Sequence, residues 1–199
     1  MTGVTMPAIA RESLMTLEAY AKARPEFRRN VIAHKKRRSI ALGDHVTLLF
    51  EDELTVRYQV QEMLRIEKIF EEEGIAHELE SYNPLIPNGR NLKATMLIEY
   101  EDASTRRASL GRLKGVEQRV WLQVEGSPKV WPIADEDLER ENEEKTSAVH
   151  FLRWELTDEM AAALKYGVSL SMGVDHPNYQ ASVSPLNAES RASLAADLA

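Results

Sequence analysis

Apolar positions recur every three to four residues through the first part of the chain and largely every second residue later on. That change of period predicts helices followed by strands. Leu14, Leu17 and Tyr20 predict a short helix over 13–22. Pro25 suits the first turn of a second helix over 25–38, where a missing N–H is no loss. Phe27, Val31 and His34 share one face of that helix, with Arg38 below them. Gly43 and Val46-Thr47-Leu48-Leu49-Phe50 predict a turn and a short strand. The clearest helical pattern covers 53–73, where Val56, Val60, Met63 and Phe70 form one stripe and Gly74 reads as its terminator. Glu67 falls inside that stripe, about 20° from Val56, so it is either buried with a partner or marks an opening in the core. A short helix over 77–82 leads into the turn-rich Asn83-Pro84-Leu85-Ile86-Pro87-Asn88-Gly89.

Beyond that connection, Leu92, Ala94, Met96, Ile98 and Tyr100 alternate with Lys93, Thr95, Leu97 and Glu99, which predicts a strand over 92–100. A helix over 104–114 ends at Gly115, and a strand over 119–125 turns at Gly126-Ser127-Pro128 into a hairpin partner over 129–134. The acidic run 135–145 begins at Asp135, placed to cap a short solvent-facing helix. A strand over 146–156, a helix capped by Thr157 and ended by Gly167, and a strand over 168–174 complete the pattern. The expected fold is α+β: a mostly antiparallel five-stranded sheet in the order β-α-β-β-β-α-β, with helices on one face. The N-terminal helical segment is expected to cover or flank it. One domain spans 10–180, with a helical part at 10–83 and a sheet part at 90–176. The segment 181–199, rich in Ala, Ser, Asp and Asn without periodicity, reads as a disordered tail.

Composition narrows the chemistry. A chain of 199 residues, 43% hydrophobic and 29% charged, can bury a core without staples. It has no cysteine, which excludes disulfides, thiolate nucleophiles and iron–sulfur ligation. The net charge of −7 argues against general affinity for nucleic acid or anionic membrane. No apolar run approaches the roughly 20 residues that span a bilayer. The N-terminal MTGVTMPAIARES has neither a basic nor an apolar leader region, so the expected location is cytoplasmic.

Sorting strand residues by face collects Lys93, Thr95, Glu99, Arg119, Gln123, Glu125, Arg153, Glu155, Ser169 and Ser171 on one side, broken by Leu97, Trp121, Trp131 and Phe151. Exposed to solvent, that face is a surface with weak cross-strand ion pairs. Covered by the helices, it becomes a polar network in which unpaired members are costly. The ligand-binding candidates are therefore Glu62, Arg65, Glu67, Lys93, Glu99 and Arg153, a carboxylate-and-arginine set suited to an anionic ligand. Asp175 and His176, after the last predicted strand, form either an acid–base pair or an ordinary turn with Pro177. His34 with Glu67 and Glu71 is a candidate iron or manganese set, although no Glu-x-x-His motif supports it. His150, on the apolar face, reads as a hydrogen-bonded core residue. The basic run from Arg28 to Arg38 reads first as a solvated helix face; the alternatives are a contact for phosphate, RNA or an acidic partner, or internal docking against the acidic run. No phosphate-loop, dinucleotide-binding, nucleophile-elbow or zinc-protease motif is present.

Several blocks are familiar in order: Leu42-Gly43-Asp44-His45-Val46-Thr47-Leu48-Leu49-Phe50-Glu51-Asp52-Glu53, Tyr58-Gln59-Val60-Gln61-Glu62-Met63-Leu64-Arg65, Asn83-Pro84-Leu85-Ile86-Pro87 and Lys145-Thr146-Ser147-Ala148-Val149-His150-Phe151-Leu152-Arg153. With them the chain resembles, over about 12–179, a proteobacterial family of unknown function numbered three-five-zero-one. The resemblance carries no catalytic residue. It implies an accessory protein encoded beside rubrerythrin-like proteins and iron–sulfur oxidoreductases, hence a redox protein partner. The alternative is a metal- or anionic-ligand-binding protein, possibly an enzyme, with its site between the long helix and the polar sheet face.

Overall fold

The computed structural model describes residues 8–199. The reading of the N-terminal leader region falls largely on 1–7, outside the described residues.

The first helix, α1 (Leu17–Lys36), starts where the Thr16 side chain accepts from the Ala19 N–H, and it runs through Pro25 without dividing. An internal proline costs about 3 kcal/mol. Packing on both sides of it offsets that cost: Tyr20 meets Phe27 edge-on, with centroids 6.0 Å apart, and Phe27 in turn lies 6.0 Å from Tyr58. Two expected helices are therefore one. In α2 (Glu53–Ile66), Asp52 and Thr55 cap the N-terminus reciprocally. The helix stops short of Gly74 because Lys68 turns the chain at φ 56°. Helix α3 (Glu72–Tyr82) then begins. Gly74 lies inside α3, where a Cβ would stand 2.7 Å from Ile69. Phe70, expected on the buried stripe, is 70% exposed in the link. Val56, Val60, Leu64, Ile75 and Leu79 form a small core of their own with Ile9 and Leu14.

Two antiparallel sheets follow. The five-stranded one has the order β1-β2-β3-β6-β5, with β1 Ser39–Leu42, β2 Val46–Phe50, β3 Asn91–Ile98, β6 Val149–Glu155 and β5 Ile133–Ala134. The three-stranded one runs β4 (Val120–Val124), β7 (Leu170–His176), β8 (Tyr179–Val183). The α+β class and an antiparallel five-stranded sheet are as expected, but its membership differs. The segments read as its second and last strands, β4 and β7, pair with each other in the smaller sheet, and the β1–β2 hairpin takes their place. Of the expected hairpin partner of β4, Val130 bridges to Leu122 while Ile133–Ala134 joins β6.

The inward rows of both sheets enclose the main core, which includes Leu48, Leu92, Met96 and Trp154 from one and Leu122, Leu170 and Met172 from the other. Helices α4 (Ala103–Arg112) and α5 (Asp158–Lys165) contribute Leu110, Met160 and Leu164. The expected disordered tail instead forms most of β8 and α6 (Ala188–Ala195), and Leu194 of α6 with the flanking Leu186 and Leu198 seals this core. Asn187 caps α6 by accepting from the Ser190 N–H at 2.8 Å. Tyr179 of β8 donates its hydroxyl proton to Leu42 O (2.5 Å) beside Gly43, whose φ is 73°. A Cβ on Gly43 would lie 2.6 Å from that hydroxyl.

Candidate functional site

The outer face of the five-stranded sheet is a row built by β3 and β6. Lys93 stands directly opposite Arg153, and Thr95 opposite Phe151. Like charges directly opposed across a pair destabilise it. The end of α3 and the turn after it, through Tyr82, Pro84 and Leu85, arch over this row and leave a cleft of about 460 Å³. The segment after β5, carrying Glu136 and Asp137, forms its far wall. Phe151 and Leu85 give the cleft an apolar lining, and Lys93, Arg153 and Glu51 supply charge.

Each charged group is held differently. Lys93 Nζ donates to Pro84 O at 2.6 Å, using one of three protons. Burial, and then the nearby Arg153 guanidinium, push its amine below the usual lysine range. Arg153 is forked by Glu136, with Nε to Oε2 at 2.8 Å and Nη2 to Oε1 at 2.7 Å, while Nη1 contacts Glu155. The Arg153 hydrogen bonds keep Glu136 below the usual carboxylate range. Glu51 accepts from the Thr55 hydroxyl (2.5 Å) and the Thr95 hydroxyl (2.9 Å).

The wall is anchored at Asp135, which adopts φ 50° rather than capping a helix. Its carboxylate accepts from the Phe151 N–H at 2.9 Å and lies 2.6 Å from His150 Nδ1. His150 is fully buried, and its Nε2 sits 3.0 Å from the Thr146 hydroxyl. Arg140 returns to Asp135 at 3.2 Å and lies over the Phe151 ring. The acidic run therefore finds its cations locally, in Arg140, Lys114 and Arg107, rather than in the basic run of α1.

Of the residues singled out in the sequence, Lys93 and Arg153 meet in this cleft and the others do not. Glu62 is buried between α1 and α2, where it accepts from Tyr20 Oη (2.7 Å), Arg24 Nε (2.7 Å) and, more loosely, Arg65. The Arg24 hydrogen bonds outweigh burial and hold Glu62 down at about 2. Glu67 is the exposed C-cap of α2. Glu99 accepts from the Thr47 hydroxyl at 2.9 Å, at the far end of β3. Asp175 is exposed, and His176 donates from Nε2 to Lys114 O (3.0 Å) while accepting the Asn178 N–H, which fixes the β7–β8 turn.

The candidate metal set is not brought together. His34 lies 2.5 Å from Asp52 at the start of α2, whereas Glu67 and Glu71 follow its end. Fourteen residues of helix separate the two, about 20 Å. Among the described residues no three His, Asp or Glu side chains are grouped to hold a metal ion. Arg38 and Asp52 instead join a buried clamp, in which Arg38 reaches Phe50 O, Ser193 O and Asp197 Oδ2 (2.5 Å).

Glu136, Phe151, Tyr82 and Leu85 were not singled out as ligand contacts. Phe151 interrupts the polar row beside Arg153, a signal that an apolar wall lies there. Glu136 belongs to a segment whose path no periodicity encodes.

Comparison with known proteins places these features in a lineage. The profile of a family described as "Protein of unknown function (DUF3501)" matches residues 8–198. A crystal structure of a novel protein of unknown function from Burkholderia pseudomallei K96243 is 57% identical. It superposes with a TM-score of 0.91 over 96% of this chain and 100% of that one. No curated protein matches. Among the described residues no helix is long and apolar enough to cross a membrane.

Proposed function

The chain belongs to the DUF3501 family, and we propose that it binds a small anionic ligand with an apolar body in the cleft between α3 and the outer sheet face. The observation that carries this reading is the direct opposition of Lys93 and Arg153 on the cleft floor. Two cations in one cross-strand pair oppose folding unless anions compensate them. Arg153 is hydrogen-bonded to two carboxylates; Lys93, which lines the cleft, feels these only at a distance and has one carbonyl as its hydrogen-bond partner. An anion on Lys93 restores the charge that burial and Arg153 disfavour. Phe151 and Leu85 then take an apolar body, as in small-molecule sites where a few polar groups orient a mainly hydrophobic contact.

Calorimetric titration with 4-phenylbutyrate tests this. The wild type should bind, and Lys93→Met should weaken binding by about tenfold or more, the loss of one charge-assisted contact. Equal binding by both proteins would defeat the reading.

The accessory reading, docking onto a redox partner, is favoured by Ile66 and Phe70, apolar side chains left exposed where α2 gives way to α3. A Phe70→Ser variant that retains every partner of the wild type would end it.

A further inference from the structure

Resting on that reading, we propose that the anionic group of the ligand is a carboxylate and that it replaces Glu136 on Arg153. The unliganded cleft already contains the recognition geometry. Two parallel N–H groups of Arg153 hold the two oxygens of Glu136 at 2.8 and 2.7 Å. This fork matches a planar two-oxygen group. Arg153 is the fixed partner: its side chain is 23% exposed, and Nη1 is tied to Glu155. Glu136 is the free one, with a side chain 52% exposed. Its backbone stays in place when the side chain leaves, because the wall is fastened one residue earlier, through Asp135 to Phe151 N–H and His150. Glu136 is thus an internal competitor for a seat that lies beside both Lys93 and the Phe151 ring.

The surroundings select the class of anion. Glu51, Glu80 and Asp137 also line the cleft. They repel a dianion more strongly than a monoanion, and replacing Glu136 by another carboxylate keeps one two-oxygen acceptor on the Arg153 fork. The predicted headgroup is therefore a monocarboxylate with an apolar tail lying along Phe151 and Leu85, and a phosphate monoester is rejected. Arg153 and Glu136 together set this specificity. Arg153 reads the headgroup, and Glu136 sets how much affinity is spent on emptying the seat.

The test uses 4-phenylbutyrate and phenyl phosphate with the wild type and Glu136→Gln, Arg153→Lys and Arg153→Met variants, each first checked for folding by thermal unfolding. The expected result is about tenfold tighter 4-phenylbutyrate binding by Glu136→Gln. Both Arg153 variants should lose most of the binding, and phenyl phosphate should remain the weaker ligand throughout. Should Arg153→Met fail to fold, Arg153→Lys keeps the charge but not the fork and carries the same prediction. If the wild type binds through Lys93 but Glu136→Gln binds no more tightly, the exchange is overturned and the binding reading stands. Tighter binding of phenyl phosphate overturns the carboxylate assignment. If neither wild type nor Glu136→Gln binds, both readings fail together.

Discussion

Lys93 and Arg153 are direct neighbours across β3 and β6, two cations in one cross-strand pair on the floor of the cleft. Glu136 and Glu155 compensate Arg153 and act on Lys93 more weakly, which leaves part of the repulsion in place. Removing one charge while keeping the aliphatic stem relieves the repulsion. Lys93→Met should therefore leave stability unchanged or raise it by a few tenths of a kcal/mol, the scale of cross-strand effects, while binding weakens about tenfold. Thermal unfolding of the variant checks this; a fall of several degrees would show that Lys93 is instead a structural tie to Pro84.

Glu62 belongs to the helical core and not to the cleft. It is the buried acceptor for Tyr20, Arg24 and Arg65, and these bonds hold it down at about 2. Glu62→Gln should destabilise by about 1–2 kcal/mol, the weakening of charge-assisted hydrogen bonds whose arginines reach solvent, without altering ligand affinity. With an ordinary value of 4.5, its stabilisation is present at neutral pH and lost as pH falls from about 4.5 towards 2. Urea unfolding as a function of pH reads both effects.

The Arg38 clamp gives the opposite sign. Burial raises Asp197 from 3.8 to about 6 against the pull of Arg38. Between those values the folded protein holds a proton that the unfolded chain lacks. The contribution of Asp197 to stability therefore grows as pH falls from 7 through 6 towards 4. Burial would also raise Asp52, but Arg38, the Thr55 N–H and His34 outweigh it and keep it low. Its stabilisation disappears only as pH falls below 3.8. Asp197→Asn should flatten the stability profile between pH 4 and 7, as melting temperatures across that range would record.

The C-terminal segment gives the plainest packing test. Leu194 of α6 is fully buried in the main core. Leu194→Ala should cost about 2–4 kcal/mol, where a disordered tail would tolerate the change. Equilibrium denaturation distinguishes the two.

What could be read in the sequence was what local spacing encodes. Alternation at Leu92–Ile98 placed β3 and put Lys93 on the outer face. Thr157 marked the start of α5, and Gly167, with φ 95°, marked the turn after it. Strand partners were not legible, because β4 and β7 carry the same alternation whether they join one sheet or form another. The C-terminal helix was hidden by its own composition, since alanine and serine give little contrast between faces and Leu194 is its one large apolar residue. Pro25 read as a boundary because its cost is local, whereas the aromatic packing of Tyr20, Phe27 and Tyr58 is tertiary. The candidate site was half legible. Lys93 and Arg153 share a face by period two, but Glu136 reaches them from an irregular segment, and Glu62 was drawn away by Tyr20 and Arg24 of another helix.

A cleft between α3 and the outer sheet face that holds a small anionic amphiphile must respond to one at its own lining residues. The most direct measurement is an amide chemical-shift titration of isotopically labelled protein with 4-phenylbutyrate. Saturable shifts should concentrate at Tyr82, Leu85, Lys93, Phe151 and Arg153, and in Lys93→Met they should need about tenfold more ligand. Shifts centred elsewhere, or an unresponsive cleft at millimolar ligand, would contradict it.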